Sequence, residues 1–234
     1  MDDHLTVPLT TQVGCLLRPP ARPEPGRRPP LVVVLHGQGE SGARQARWMG
    51  PAIPEHCAAA FPDGLHKHEV RRPGRALRLG HGWYLYTPDD RPAFLASLEQ
   101  AGATLWRLID AALERLDADP ERVVLAGFSQ GAYTTHYAAL TRLERVRGWI
   151  CQAGGFRPEY VGEPFPDLGG RPVLFQHGEQ DEAIGPEVAR QTADFLAAHG
   201  GAVDVRLYDT GHRIVPAMAE DARAWIEGVL PAGG

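Results

Sequence analysis

The sequence predicts an α/β fold with a mostly parallel, doubly wound sheet, helices on both of its faces and no large cap domain. Short apolar runs alternate along the chain with longer helical patterns, and this alternation implies right-handed crossovers between parallel strands. The run Leu31–Leu35 is apolar at every position, which is typical of a strand buried on both faces. The length of 234 residues suits one domain over residues 1–234.

The strands are expected in the following order. Residues 5–17 are extended in character and a proline-rich stretch follows to Gly26, so residues 1–30 predict an edge strand or hairpin and then a turn. Six apolar runs predict the remaining strands: Leu31–Leu35, Ala58–Phe61, Val123–Ala126, Gly148–Gln152, Val173–Gln176 and Val203–Tyr208.

Four helical patterns lie between or after these strands: Pro92–Leu116, Ala132–Arg145, Pro186–His199 and Pro216–Leu230. Three of them open on proline, whose missing N–H costs nothing in a first turn. Gly200 and Gly201 follow the third helix, as a left-handed cap requires. Residues 62–91 show no sustained periodicity and many Gly, Pro, Arg and His residues, which predicts an irregular segment that shapes a pocket.

Composition excludes several classes of function. A formal net charge of -5 argues against a nucleic-acid partner, and the arginines at 71, 72, 75 and 78 are interpreted as a solvated loop. No apolar run has the length of a membrane span, and the N-terminus lacks the pattern of a secretory signal. Three cysteines without CxxC spacing indicate reduced thiols in the cytoplasm. Lys67 is the single lysine among 24 basic residues, which indicates a GC-rich bacterial genome.

The candidate nucleophile is Ser129. The apolar run Val123–Ala126 passes into Gly127-Phe-Ser-Gln-Gly131 and then into a helical pattern. A Gly-x-Ser-x-Gly turn between a strand and a helix lifts one hydroxyl above the edge of the sheet. A serine hydroxyl is too weak an acid to attack a carbonyl unaided, so it needs a base and the base needs an orienting carboxylate.

Hydrolases that use this turn place the acid and then the histidine after the serine along the chain. Four histidines follow Ser129, at 136, 177, 199 and 212. His212 is the expected base, because it lies between the last strand and the last helix. Asp181 is the expected acid, since a few residues must follow the strand before a side chain can turn back. Glu182 is its main rival, and Glu179 lies in the same loop.

Acyl transfer also needs two N–H donors for the developing oxyanion. The backbone N–H of Gln130, directly after the serine, is one candidate, and that of Gln38 in the glycine-rich turn after the second strand is the other. Trp83 and Phe156 are candidates for the walls of the acyl pocket, although aromatic residues at these positions could equally belong to the core. His66-Lys-His68-Glu69 resembles a metal site but suits a solvated loop better, and the chemistry requires no metal and no cofactor.

Four motifs together carry a family resemblance: Leu35-His-Gly-Gln-Gly39, Gly127-Phe-Ser-Gln-Gly131, His177-Gly-Glu-Gln-Asp181 and Gly211-His-Arg-Ile214. They resemble the phospholipase/carboxylesterase family of α/β-hydrolases, which includes acyl-protein thioesterases and small bacterial carboxylesterases. The resemblance implies an α/β-hydrolase fold and a triad of Ser129, Asp181 and His212, with Gln38 and Gln130 as backbone donors. The segment from Pro62 to Gly80 matches no motif of the family.

The expected activity is therefore hydrolysis of small-molecule carboxylic esters, including thioesters or lysophospholipids, through an acyl-enzyme on Ser129. Two alternatives stay open. A peptidase could use the same triad, although peptidases of this fold often carry a further domain for which this chain lacks the length. A non-catalytic ligand-binding protein could keep the fold without the chemistry. The sequence is compatible with a monomer or a homodimer.

Overall fold

The computed structural model describes residues 11–71, 74, 76–87 and 89–233. Its strands, in chain order, are β1 (Cys15–Arg18), β2 (Leu31–Leu35), β3 (Ala58–Pro62), β4 (His66–Val70), β5 (Arg78–Gly82), β6 (Val123–Phe128), β7 (Gly148–Gln152), β8 (Pro172–Gly178) and β9 (Ala202–Tyr208). Its α-helices are α1 (Gly42–Met49), α2 (Arg91–Leu116), α3 (Gln130–Thr141), α4 (Pro186–Ala198) and α5 (Pro216–Val229).

Seven strands form the central sheet in the order β1-β3-β2-β6-β7-β8-β9. All neighbouring pairs are parallel except the edge pair β1 and β3, which is antiparallel. Leu31 pairs with Val123 and Leu35 with Gly127, so β2 and β6 end side by side. The turns that follow these two strands consequently meet at one edge of the sheet.

The sheet is covered on both faces. In β2, Leu31, Val33 and Leu35 pack into a core shared with α2, α3 and α4. The alternate residues Val32 and Val34 pack into a second core shared with α1 and α5. Because successive side chains of a strand point to opposite faces, a continuous apolar run suits a strand with a helical layer on each face. The predicted fold class, a mostly parallel sheet between helical layers, is confirmed.

Two elements differ from the sequence prediction. Residues 62–91 were expected to be irregular, but β4 and β5 form an antiparallel hairpin in which His66 pairs with Gly82 and Val70 with Arg78. Its side chains are mostly polar and glycine, so neither an apolar alternation nor a β-branched run indicates a strand. Helix α1 was not expected, because it is only eight residues long; Ser41 caps it by accepting a hydrogen bond from the Arg44 N–H.

Other predicted bounds moved by a few residues. Helix α3 begins at Gln130 and ends at Thr141, and a single 3-10 turn, Leu143–Arg145, completes the range that was expected to be helical. Of the predicted N-terminal strand, residues 5–10 lie outside the described residues, as do Arg72 and Arg75 of the arginine cluster. No helix of the described ranges is long and apolar enough to cross a membrane.

Candidate active site

Ser129 occupies the tight turn between β6 and α3. Its backbone has φ 53° and ψ −120°, a conformation that residues other than glycine rarely adopt. The flanking glycines are required because a Cβ at either position would clash with the backbone. A Cβ on Gly127 would lie 2.3 Å from the Gly131 carbonyl oxygen, and a Cβ on Gly131 would lie 2.6 Å from the His36 carbonyl oxygen. The N–H of Ser129 donates to the Gln152 carbonyl at 2.9 Å, which holds the turn to the neighbouring strand.

The structure brings Ser129, His212 and Asp181 together in one hydrogen-bonded line. His212 Nε2 lies 2.9 Å from Ser129 Oγ, and His212 Nδ1 lies 2.7 Å from Asp181 Oδ2. The other carboxylate oxygen of Asp181 accepts from the N–H groups of Ala183 and Ile184, each at 2.9 Å. With its Nδ1 proton directed at the carboxylate, His212 presents Nε2 as an acceptor for the serine proton.

The rival carboxylates lie elsewhere. Asp181 is 5% exposed, whereas Glu179 and Glu182 are on the exposed side of the same loop. The histidine contact is made by Asp181. A buried carboxylate needs partners for its oxygens, and the N–H groups of the loop supply them.

The three other histidines after the serine make structural contacts. His136 is fully buried and its Nδ1 accepts from Trp149 Nε1 at 2.9 Å; burial lowers the pKa of His136 to about 3. His177 is the last residue but one of β8; its Nε2 donates to the Ile184 carbonyl at 2.8 Å and lies 3.4 Å from Asp181 Oδ2. His199 donates to a carbonyl of the last turn of α4. None of them contacts Ser129 within the described part of the chain.

The two predicted N–H donors lie on the turns that flank the serine. Gln38 lies in the turn after β2 and borders the same cavity as Ser129. This turn is fixed by the Gly39 N–H, which donates to the His81 carbonyl at 2.8 Å, and by the Glu40 N–H, which donates to Gly37 at 3.1 Å. Gln130 is the first residue of α3, a position at which a helix leaves its N–H free of internal partners.

His36 is a residue of this edge to which the sequence analysis assigned no role. It is fully buried; its Nδ1 donates to the Gly37 carbonyl at 2.7 Å and its Nε2 accepts from the Gly64 N–H at 2.9 Å. Burial lowers the pKa of His36 to about 4, so the ring is neutral near pH 7. Its place directly after an apolar strand and before a glycine turn is the signal that could have identified it.

A cavity of about 530 Å³ opens beside Ser129. Its walls come from the turn after β2, from helix α1, from Phe128 and Ser129, and from the His212–Ile214 stretch. The expectation that Trp83 and Phe156 line the pocket is corrected, because neither borders this cavity. Trp83 is 1% exposed and donates through Nε1 to the His36 carbonyl at 2.8 Å, while Phe156 is 6% exposed in the core.

The segment with two histidines that resembled a metal site lies in β4. His66 and His68 alternate there with Lys67 and Glu69, so the strand pleat points Lys67 and Glu69 away from the histidines. Over the described residues, no three His, Cys, Asp or Glu side chains are grouped so that they could hold a metal ion.

This chain resembles known proteins over most of its length. A phospholipase/carboxylesterase family model matches residues 23–230. Acyl-protein thioesterase 1 of Eremothecium gossypii is 33% identical over 231 residues, covering 92% of this chain and 94% of that protein.

Two solved structures share the fold. The carboxylesterase of Bacillus cereus superposes with a TM-score of 0.73 at 16% identity, covering 93% of this chain and 94% of that one. Esterase PE8 superposes with a TM-score of 0.76 at 22% identity, covering 94% of this chain and 100% of that one. The likeness therefore extends over nearly the whole chain.

Proposed function

Because the chain belongs to the phospholipase/carboxylesterase family, we propose that it is a serine hydrolase that cleaves carboxylic esters or thioesters through an acyl-enzyme on Ser129. The observation that carries the proposal is the hydrogen-bonded line from Asp181 through His212 to Ser129, with 2.7 Å and 2.9 Å between its polar atoms. Packing alone would not require an aspartate, a histidine and a serine to be hydrogen-bonded in this order. Nor would it require the serine to lie in a strained turn.

In the first half of the reaction, Ser129 Oγ attacks the carbonyl carbon and its proton passes to His212 Nε2. The negative charge that develops on the carbonyl oxygen is stabilised by the N–H groups of Gln38 and Gln130. The bond from carbon to the leaving oxygen or sulfur then breaks, and His212 gives its proton to that atom. An alcohol or thiol leaves, and the acyl group remains as an ester on Ser129.

In the second half, water takes the place of the alcohol. The water oxygen attacks the acyl carbon while His212 accepts a proton from the water. The bond between the acyl carbon and Ser129 Oγ then breaks. Ser129 recovers its proton from His212 and the carboxylic acid leaves. Asp181, in contact with His212 Nδ1, stabilises the imidazolium that forms in both halves.

A fluorophosphonate probe tests the nucleophile. The wild-type protein should be labelled covalently, Ser129→Ala should not, and Ser41→Ala should be labelled as the wild type is. Ser41 is a suitable control because its hydroxyl caps α1 rather than contacting His212. Equal labelling of wild type and Ser129→Ala would remove Ser129 from the proposed role.

Whether the enzyme prefers oxygen esters or thioesters is tested by measuring turnover of both kinds of substrate. The relative from Eremothecium gossypii is named an acyl-protein thioesterase, and this name supports thioesters as substrates. The structural neighbour from Bacillus cereus is named a carboxylesterase, and this name supports oxygen esters. Turnover of p-nitrophenyl esters from acetate to decanoate, measured beside acyl thioesters of the same chain lengths, gives the preferred bond and length. Absence of turnover for every substrate, with no fluorophosphonate labelling, would favour a ligand-binding protein.

The proposal also places this enzyme in the cytoplasm. Cys15, Cys57 and Cys151 are all free thiols in the structure, and unpaired cysteines suit a reducing compartment.

A further inference from the structure

Gln45 borders the cavity beside Ser129 and carries an unpaired hydrogen-bond donor. The residue lies on α1, is 4% exposed and borders the cavity. Its side-chain Nε2 is buried and has no hydrogen-bond partner. A buried donor without an acceptor is costly, and native proteins rarely keep one unless a ligand or water satisfies it. The free donor of Gln45 therefore points to an acceptor atom that a bound substrate would supply.

The charged groups around the same cavity indicate the sign of that substrate. Arg44 and Arg213 both border the cavity, and the one carboxylate among its lining residues is that of Glu40. Glu40 is already engaged by Arg44 Nε at 2.5 Å and by Arg78 at 2.8 Å. Arg213 donates through Nε to Thr210 Oγ1 at 2.8 Å but has no ion pair with any residue of the described ranges. The cavity therefore holds an excess of positive charge.

We propose that Gln45 and Arg213 bind an anionic acceptor group of the substrate, so that the enzyme prefers esters with a carboxylate close to the scissile bond. This inference rests on the proposed function of Ser129, because the cavity is defined by its position next to that hydroxyl. A guanidinium and an amide N–H are both donors to carboxylate oxygens, and the volume of about 530 Å³ suits a compact substrate. Trp48, which is 57% exposed, offers an apolar wall for the carbons between the two groups.

The carboxylate could belong to the acyl group or to the alcohol, and two pairs of substrates distinguish these sources. The first pair is p-nitrophenyl hydrogen glutarate and its neutral methyl ester, p-nitrophenyl methyl glutarate. The second pair is 4-acetoxybenzoate and its neutral methyl ester. After subtraction of uncatalysed hydrolysis, wild-type kcat/KM should be about tenfold higher for the anionic member of at least one pair, as one charged hydrogen bond provides.

Variants connect that preference to the named residues. Arg213→Gln and Gln45→Leu should each reduce the ratio of anionic to neutral kcat/KM by about fivefold or more. Arg47→Gln is the matched control, because Arg47 lies on the same helix but does not border the cavity of Ser129. Its ratio should equal that of the wild type. Because Gln45 is buried, thermal melting confirms that its variant folds, and the exposed Arg213 provides an independent test.

Fluorophosphonate labelling of the same samples distinguishes failure of the anionic-substrate inference from failure of the proposed role of Ser129. If the wild type is labelled and hydrolyses neutral esters, but ratios stay near one or do not respond to Arg213→Gln and Gln45→Leu, the anionic-substrate inference is overturned while Ser129 keeps its role. If the wild type is neither labelled nor active, the inference and the proposed function fall together. A high ratio that both variants lower supports the inference.

Discussion

Asp181 has both of its carboxylate oxygens in hydrogen bonds. One oxygen accepts from two backbone N–H groups of its own loop and the other contacts His212. The loop thereby fixes the carboxylate, and the carboxylate fixes the orientation and the tautomer of the imidazole. Removing the charge while keeping the shape separates this role from simple packing.

Asp181→Asn is expected to lower kcat for ester hydrolysis by about 10³ to 10⁴, because an amide no longer holds the Nδ1 tautomer and does not stabilise the imidazolium. Steady-state kinetics with p-nitrophenyl acetate measure the effect. The control is Glu182→Gln, which alters the exposed neighbour in the same loop and should keep kcat within about twofold of the wild type. A comparable loss in both variants would contradict the assignment of Asp181.

Residues with a required order along the chain could be predicted from the sequence, whereas residues defined only by type could not. The expected chain order of acid and base after Ser129 indicated Asp181 and His212, and the structure places His212 in contact with Ser129 and Asp181 in contact with His212. Trp83 and Phe156 have no such required order, and for them the sequence left the pocket and the core equally open. An aromatic ring suits a core as well as a pocket, and only tertiary packing decides between them.

At the scale of elements, the hairpin of β4 and β5 supports the turn that follows β2. Its residue His81 pairs with Glu40 through an isolated bridge and accepts from the Gly39 N–H. Just beyond the hairpin, the side chain of Gln130 accepts from the Trp83 N–H and donates to the Tyr84 carbonyl, each at 2.9 Å. One glutamine side chain thus ties the end of the hairpin to the start of α3.

Gln130→Met is expected to destabilise the fold by about 2 to 4 kcal/mol, because it leaves a buried N–H and a buried carbonyl unpaired. Urea denaturation measures the free energy of unfolding, and hydrogen exchange should show faster exchange of the Trp83 amide. Gln100→Met, an exposed change on α2, serves as the control and should stay within about 0.5 kcal/mol of the wild type. An unchanged Trp83 exchange rate in Gln130→Met would contradict the role of this side chain.

The space around two glycines, one in the close contact between β6 and α3 and one on α5, predicts opposite effects when each is replaced by alanine. Gly127→Ala should cost several kcal/mol, since its Cβ would meet the Gly131 carbonyl oxygen at 2.3 Å. Gly228→Ala should instead stabilise by about 0.5 to 1 kcal/mol, because it lies in α5 with nothing within 4 Å of the added carbon. Thermal melting of both variants tests the pair; a stable Gly127→Ala would show that the turn can relax.

The elements themselves were predictable to different degrees. The central strands were found because burial on both faces demands continuous apolar runs such as Leu31–Leu35. The hairpin was missed because it packs against the turn after β2 through backbone hydrogen bonds, which leave no pattern in side-chain hydrophobicity. Helix α1 was missed since a helix of two turns shows too little periodicity.

For the whole molecule, buried neutral histidines connect stability to pH. Burial lowers the pKa of His36 to about 4 and that of His136 to about 3, against an ordinary value of 6.5. Below pH 6.5 the unfolded chain binds protons at both positions and the folded chain does not, until the pH approaches the lowered values. Their contribution to stability is therefore complete above pH 6.5 and is lost progressively as the pH falls toward 4 for His36 and toward 3 for His136.

The free energy of unfolding should fall between pH 7 and pH 5 by about 2 kcal/mol for each of these histidines. Urea denaturation at several pH values measures the slope. His136→Gln keeps an acceptor for Trp149 Nε1 but does not titrate, so its slope should be smaller than that of the wild type. Gln100→Met, which changes no titratable group, is the control and should keep the wild-type slope. Equal slopes for all three proteins would contradict this account.

The backbone at Ser129 sets stability against chemistry at a single position. At φ 53° and ψ −120°, any residue with a Cβ is strained by about 1 to 3 kcal/mol, and glycine is not. Under the proposed role of Ser129, a lineage that no longer needed hydrolysis would therefore gain stability by replacing this serine with glycine, and selection for stability would favour the exchange. A descendant sequence with glycine between Phe128 and Gln130 would be expected to have lost hydrolysis and gained folding stability.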